Sequence, residues 1–175
     1  DRLESRPEYE APLATAAPAL SNLLPLVFPG IHTDLLGQAA TLEVPLQMAQ
    51  VLEGILPKYV TDQRGMTEGD VAVAPPNGNG GGDMVYRLRE GIERFLVTDI
   101  NNPAASAKAQ SQIPIMADLL GTGTGVSVFN HVPGGCNALF LDGHVDFIKY
   151  PGQGPVTPAM ANMLAVVVAA FDSVN

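Results

Sequence analysis

The segment "FNHVPGGCNALFLDGHVDFIKYP", residues 129–151, carries the clearest strand and turn signals in the chain. Two runs of alternating character, 136–141 and 144–150, flank Asp142 and Gly143. An Asp-Gly pair between two such runs favours a two-residue type I′ turn, because that turn needs a positive φ at both central positions. The segment therefore predicts an antiparallel hairpin with Asp142 and Gly143 at its tip.

A two-residue turn would also fix which residues lie opposite each other in the hairpin. It places Phe140 opposite Val145 and Ala138 opposite Phe147. These four side chains then share one face, which we predict to pack on the core. His144 falls beside the turn on the other face, which is mixed in polarity.

The loop before the hairpin contains His131 and the sequence Pro133-Gly134-Gly135. An imidazole can donate one hydrogen bond and accept another, so we expect His131 to hold this loop against the hairpin. The predicted structural motif consists of His131, Gly134, Gly135, Asp142, Gly143 and His144. Cys136, the only cysteine, lies among apolar strand residues and is expected to be a buried small hydrophobic side chain and not a nucleophile.

Further elements surround the hairpin. Strand-like runs occur at 94–100, 113–118 and 126–129. Helices are predicted at 45–56, where Pro57 is expected to end the helix, and at 158–171, where Thr157 is a suitable N-cap. The predicted fold class is α+β, with an antiparallel sheet, a C-terminal hairpin and flanking helices.

The chain divides by composition into three parts. Residues 1–83 hold an arm, a helix and a Gly-rich loop, residues 84–151 form the sheet domain, and residues 152–175 form an apolar helix. The Pro-rich stretch 1–18 predicts an extended arm, and "PPNGNGGGD" within 61–83 predicts a flexible surface loop without packing side chains. The last helix is apolar all round, so it is buried either in its own core or against another subunit.

The charge balance limits the classes of partner. Nine basic and 18 acidic residues give a net charge of −9, with 46% hydrophobic residues. Phosphate binding needs clustered Lys and Arg, so the sequence predicts no nucleic-acid partner. It also predicts no membrane insertion by this chain, because its apolar runs are shorter than the roughly 18 residues of a membrane span.

The residue types in this sequence give little support for a metal site. Asp99, Asn101 and Asn102 offer oxygen ligands that suit calcium, or else they stabilise a turn through their side chains. A metal-dependent hydrolase would need His131 to converge with His144 and a carboxylate, and the helical HExxH pattern is absent. The sequence has no G-x-S-x-G motif either, so we expect no enzyme activity and no cofactor, with calcium as the one candidate ion.

The same residues carry a family resemblance. "FNHVPGGCNALFLDGHVDFIKYP" resembles the C-terminal signature of bacterial prepilin-type proteins, in which a His, nine residues and Asp-Gly follow one another. In this chain ten residues separate His131 from Asp142. "REGIERFLVTDINNPAASAKAQSQIPIMAD" also resembles the middle of such proteins, so the resemblance covers about residues 89–151.

The resemblance implies a type IV pilin-like or pseudopilin-like head with an antiparallel sheet, exported to the cell surface or the extracellular space. It implies self-assembly into a pilus-like filament or pseudopilus. This sequence lacks the long N-terminal helix of that group. The helix is expected to have been removed or to be a separate short pilin subunit, or else assembly is expected to use other surfaces, with the apolar C-terminal helix and the Pro-rich arm as candidates. The alternatives are a surface adhesin that displays the loop 75–83 and, less favoured, the metal-dependent hydrolase.

Overall fold

The computed structural model describes residues 9–27, 37–61, 68–91, 110–123, 126–129, 131 and 134–172. The described helices are α1 (Leu13–Ala16), α2 (Pro18–Val27), α3 (Leu46–Thr61) and α4 (Pro158–Asp172). The described strands are β1 (Glu10–Pro12), β2 (Glu43–Pro45), β3 (Val71–Ala72), β4 (Met84–Val85), β5 (Pro114–Ala117), β6 (Leu120–Gly123), β7 (Val126–Phe129), β8 (Gly135–Phe140) and β9 (Val145–Lys149). Short 3₁₀ turns lie at Asn79–Gly81, Gln110–Gln112 and Gly154–Val156. The predicted α+β class is confirmed.

The C-terminal sheet has the strand order β5-β8-β9, and both pairings are antiparallel. Three separate antiparallel pairs, β1-β2, β3-β4 and β6-β7, complete the described strands. The strands predicted at 113–118, 126–129, 136–141 and 144–150 are confirmed with bounds that differ by at most one residue. The strand predicted at 94–100 lies outside the described residues.

The tip of the β8-β9 hairpin differs from the predicted type I′ turn. The Gly143 N–H donates to the Phe140 carbonyl at 2.9 Å, and the Phe140 N–H donates to the His144 carbonyl at 2.9 Å. Gly143 has φ +90°, whereas no described non-glycine residue has a positive φ, so Asp142 does not adopt the left-handed conformation that type I′ requires. The turn is therefore one residue longer than predicted, with only its glycine in the left-handed region.

This longer turn shifts the register by one residue. Leu139 lies opposite Val145, and Asn137 lies opposite Phe147. Because side chains alternate between the faces of a strand, a shift of one residue on β9 moves its side chains to the opposite face. The predicted core positions of Val145 and Phe147 are therefore wrong: these side chains are 61% and 43% exposed, whereas Ala138 is fully buried as predicted.

Residues near the N-terminus belong to the core, which contradicts the extended arm predicted for residues 1–18 over its described part. β1 pairs with β2, and the N–H of Leu13 donates to the Leu42 carbonyl at 2.9 Å. Leu13 and Ala17 are fully buried, and Leu20 is 2% exposed. The prolines start short elements here, since Pro12 precedes α1 and Pro18 opens α2.

Two further predictions need correction. α3 continues through Pro57 to Thr61, so Pro57 does not end the helix. Proline removes one backbone N–H donor, and the helix tolerates the loss of this hydrogen bond close to its C-terminal end. The Gly-rich loop does contain a packing side chain, because Asn77 is only 8% exposed and its amide nitrogen lies 3.3 Å from Gln50 Oε1. Gln47 Nε2 also donates to the Asn77 carbonyl at 2.6 Å.

Helix α4 is buried within this chain, which is the first of the two arrangements expected for it. Met163 and Val166 pack with Leu13 and Leu20 in one core cluster. Ala161 belongs to a second cluster together with the three buried residues Leu120, Cys136 and Val156. The helix therefore lies between the N-terminal helices and the C-terminal strands, and its apolar side chains pack against both.

Candidate functional site

The outward face of the C-terminal sheet carries an apolar row. Met116 on β5 lies opposite Leu139 on β8, which lies opposite Val145 on β9. Met116 is 67% exposed and Val145 is 61% exposed. Large apolar side chains in register on three neighbouring strands form a contiguous patch, and such a patch on a soluble protein is typical of an interaction surface.

A second row, which carries the polar residues Asp118 and Asn137, lies next to it on the same face. Asp118 directly follows β5, and its N–H donates to the Asn137 carbonyl at 3.0 Å, which extends the β5-β8 pairing by one residue. Asn137 in turn lies opposite Phe147 on β9. The sheet therefore places Asp118, Asn137 and Phe147 side by side, two residues along each strand from the apolar row.

His131 lies against Asp118 and Asn137 of this second row, and the three residues form a polar cluster. Its Nε2 lies 2.9 Å from Asp118 Oδ2 and 2.8 Å from Asn137 Nδ2. Asn137 also donates to Asp118 Oδ2 through its backbone N–H at 3.1 Å and through Nδ2 at 2.8 Å. The hydrogen bonds from the Asn137 backbone and side chain hold the pKa of Asp118 below its ordinary value of 3.8, and the hydrogen bond from His131 lowers it to a smaller extent.

The contact with Asp118 favours one tautomer of His131. A lone pair on Nε2 would face a carboxylate oxygen that has no proton to donate, whereas a proton on Nε2 can be donated to Asp118 Oδ2. In this form Nε2 is not an acceptor, so the 2.8 Å approach of Asn137 Nδ2 to Nε2 is a contact between two donors and not a hydrogen bond. The Asn137 amide donates to Asp118 Oδ2 instead.

The Phe147 ring packs against the His131 ring of this cluster. Its ring contacts His131 edge-on, with centroids 5.8 Å apart and planes at 85°. A Cβ placed on Gly135 would lie 2.7 Å from the ring and 2.6 Å from the Ile148 carbonyl oxygen. Gly135 thus has a specific role, since only a residue without a side chain lets Phe147 lie over β8.

His144 belongs to a separate pair at the hairpin tip. Its Nδ1 lies 2.5 Å from Asp142 Oδ1, and its N–H donates to the same oxygen at 3.1 Å. Its ring stacks on Phe140 with centroids 4.4 Å apart. The hydrogen bonds from His144 lower the pKa of Asp142 below its ordinary value. Asp142 therefore stabilises the turn, as its position predicted.

The structure thus divides the predicted motif into two parts. His131 and Gly135 lie in the cluster on the outward face, while Asp142, Gly143 and His144 lie at the tip. His131 makes a hydrogen bond to the Asp118 carboxylate that follows β5, and its ring contacts Phe147 of the hairpin. Gly134, just before β8, pairs with Tyr150, just after β9: its carbonyl accepts a hydrogen bond from the Tyr150 N–H at 3.2 Å.

The metal candidates have different outcomes. Within the part of the chain that the structure describes, no three His, Cys, Asp or Glu side chains come together in a group suited to a metal ion. The calcium candidates Asp99, Asn101 and Asn102 lie outside the described residues. Cys136 is fully buried, and burial raises the pKa of its thiol, as expected for a packing residue.

Asp118 and Asn137 are the residues that sequence reasoning missed. Asp118 ends the run "IPIMAD", and Asn137 is a polar residue inside an otherwise apolar strand. A polar residue on a strand indicates a solvent-facing position, but its partner follows only from the β5-β8 register, which joins residues 19 apart in sequence.

No protein-family model, curated protein or solved structure matches this chain. Among the described helices, none combines the length and the apolar character that a bilayer crossing requires.

Proposed function

We propose that this chain is a non-enzymatic structural subunit of an extracellular, pilus-like filament or pseudopilus, and that the outward face of the C-terminal sheet is one of its assembly surfaces. The observation that carries the proposal is the apolar row across three paired strands, in which the half-buried Leu139 lies between the exposed Met116 and Val145. The resemblance of residues 89–151 to prepilin-type proteins supports the same function.

The dimensions of this face suggest what covers it. Neighbouring strands are about 4.8 Å apart, so the outer two strands of a three-stranded sheet lie about 10 Å apart. This is close to the diameter of one α-helix with its side chains, which is about 10–12 Å. A single apolar helix from a separate short pilin subunit, or from a preceding segment, would therefore cover the row of Met116, Leu139 and Val145.

The polar cluster would then fix the orientation of the partner. Asp118, Asn137 and His131 lie beside the apolar row and are tied to one another, so they present a defined arrangement of charge and hydrogen-bonding groups. Polar groups at the rim of an apolar contact discriminate between partners more than they add affinity. In this proposal they set the register between subunits.

The proposal is tested by negative-stain microscopy of the purified chain across salt concentrations, with and without a synthetic apolar helix of about 20 residues. Filaments are expected, and raised salt should favour them because it screens the repulsion between subunits of net charge −9. Monodisperse particles under every condition would contradict the filament function.

One observation favours the second candidate, a surface binding head. The loop 75–83 is held in a defined shape, since Tyr86 N–H donates to Asn79 Oδ1 at 2.7 Å and Gly78 N–H donates to the Gly82 carbonyl at 2.9 Å. A loop that is already ordered loses little conformational freedom when it binds a partner. Particles that stay monomeric and bind a surface receptor through this loop would support the binding head.

A further inference from the structure

A partly open cavity of about 310 Å³ lies along the edge strand β5, beside the helices α3 and α4. Its walls include three methionines, one from each element: Met48, Met116 and Met160. Leu164 and Pro155 add further apolar surface. Small-molecule sites in proteins start at about 300 Å³ and are lined mainly by apolar side chains, so this cavity has the size and character of a ligand site.

The volume sets the size of the occupant. An aliphatic cavity of about 150 Å³ holds one benzene molecule, which has six carbon atoms. A cavity of about 310 Å³ therefore holds a molecule of roughly a dozen non-hydrogen atoms. Methionine side chains are unbranched and polarizable, so three of them adapt to either an aromatic or an aliphatic body.

Asp118 is the charged side chain among the described residues that line the cavity. The three hydrogen bonds that its carboxylate accepts from Asn137 and His131 all end on Oδ2. Among the described residues these bonds fix the carboxylate group through Oδ2 and leave Oδ1 to accept a hydrogen bond from a ligand. The same bonds lower the pKa of Asp118, so the carboxylate is ionised at neutral pH.

We propose that this cavity binds a small organic ammonium ion, with an aromatic or aliphatic body of roughly a dozen non-hydrogen atoms in the methionine-lined space and its ammonium group on Asp118. Charge complementarity selects the cation, because a carboxylate beside an apolar wall attracts an ammonium group, offers less to a neutral hydroxyl and repels a second carboxylate. The proposal goes beyond filament assembly and does not rest on it.

Three probes with the same body isolate the role of the charge: 4-phenylbutylamine, 4-phenylbutanol and 4-phenylbutyrate. Binding is measured at neutral pH by NMR on the whole chain, with ¹³C-labelled methionine methyl groups. Met48, Met116 and Met160 line the cavity, whereas Met163 is fully buried in the core beside α1 and α2 and serves as the internal reference.

The expected result is a saturable shift of the three cavity methyl signals, with little change at Met163. The amine should bind about three- to tenfold more tightly than the alcohol, as for a partly exposed charged hydrogen bond, and the carboxylate should bind most weakly. Equal affinities for the three probes, or no saturable shift at the cavity methionines, would overturn the proposal.

Two variants locate the site. Asp118→Asn should remove the preference for the amine while retaining alcohol binding, and the matched variant His131→Ala should keep the preference because Asp118 stays charged. Ala117→Phe fills the cavity from an exposed position of β5, so it should weaken binding of all three probes even if Asp118→Asn fails to fold. Unchanged binding in Ala117→Phe would place the probes elsewhere and refute the site.

Discussion

Replacing two exposed apolar residues of the outward face should abolish assembly without unfolding the protein. The variant is Met116→Glu combined with Val145→Glu, whose side chains are 67% and 61% exposed. Full burial of a side chain of this size contributes about 1.5–3 kcal/mol, so covering the exposed part of each contributes about 1–2 kcal/mol. The pair therefore contributes about 2–4 kcal/mol per contact, and its loss should weaken association by roughly 30- to 1,000-fold.

The matched control is Leu26→Glu combined with Leu88→Glu. These two leucines are 78% and 61% exposed and lie outside the C-terminal sheet, and the control adds the same two negative charges. Any effect of net charge on assembly is therefore present in both variants. Exposed substitutions usually change the free energy of unfolding by less than about 0.5 kcal/mol each, so both variants should melt within about 4 °C of the wild type.

Assembly is followed by sedimentation velocity and negative-stain microscopy at equal protein concentration. The sheet variant should remain unassembled where the wild type and the control form filaments. If the sheet variant assembles like the wild type, or if both double variants lose assembly equally, the outward face is not the assembly surface and the reasoning from its exposed row is refuted.

Three further predictions test the cluster and the hairpin. Gly135→Ala should destabilise the fold by about 1–3 kcal/mol, because its Cβ would lie 2.6 Å from a backbone oxygen. The control Gly37→Ala, which has open space around the added methyl group, should be close to neutral. Both are measured by thermal melts, and equal melting temperatures would contradict the close packing at Gly135. Asp118→Asn should be less stable than the wild type at neutral pH. A lowered folded-state pKa stabilises the protein above the ordinary value of 3.8 and ceases to do so as the pH falls through the folded-state value, so the gap in melting temperature should close in acid, and a gap that is independent of pH would rule this out. Cys136 should react with a thiol reagent only after denaturation, because it is fully buried and burial raises its pKa; rapid labelling of the folded protein would disprove its burial.

Local patterns in the sequence were sufficient for most elements of the C-terminal half, although β6 (Leu120–Gly123) was not predicted. Alternation identified β5, β7, β8 and β9, and the all-apolar run identified α4. Asp142-Gly143 marked the hairpin tip correctly, because the preference of glycine for positive φ depends on the residue alone. These features come from neighbours in sequence, so they can be read without knowing the fold.

The N-terminal segment shows where such reading fails. Its prolines predicted an extended arm over residues 1–18, but Leu13 and Ala17 are buried in one cluster with Met163 of α4, more than 140 residues away in the chain. Composition reports which residues break regular structure, and it does not report which distant surface is available to bury the apolar ones.

By itself, the sequence determined the strands β5, β7, β8 and β9, the tip of the hairpin and the need to bury the last helix. Only the tertiary structure decided which face of β9 meets solvent, and with it that Phe147 lies beside Asp118, Asn137 and His131. The physical reason is the twofold repeat of a strand: one additional turn residue exchanges the two faces of β9, while Cys136 and Ala138 on β8 face the core in either register.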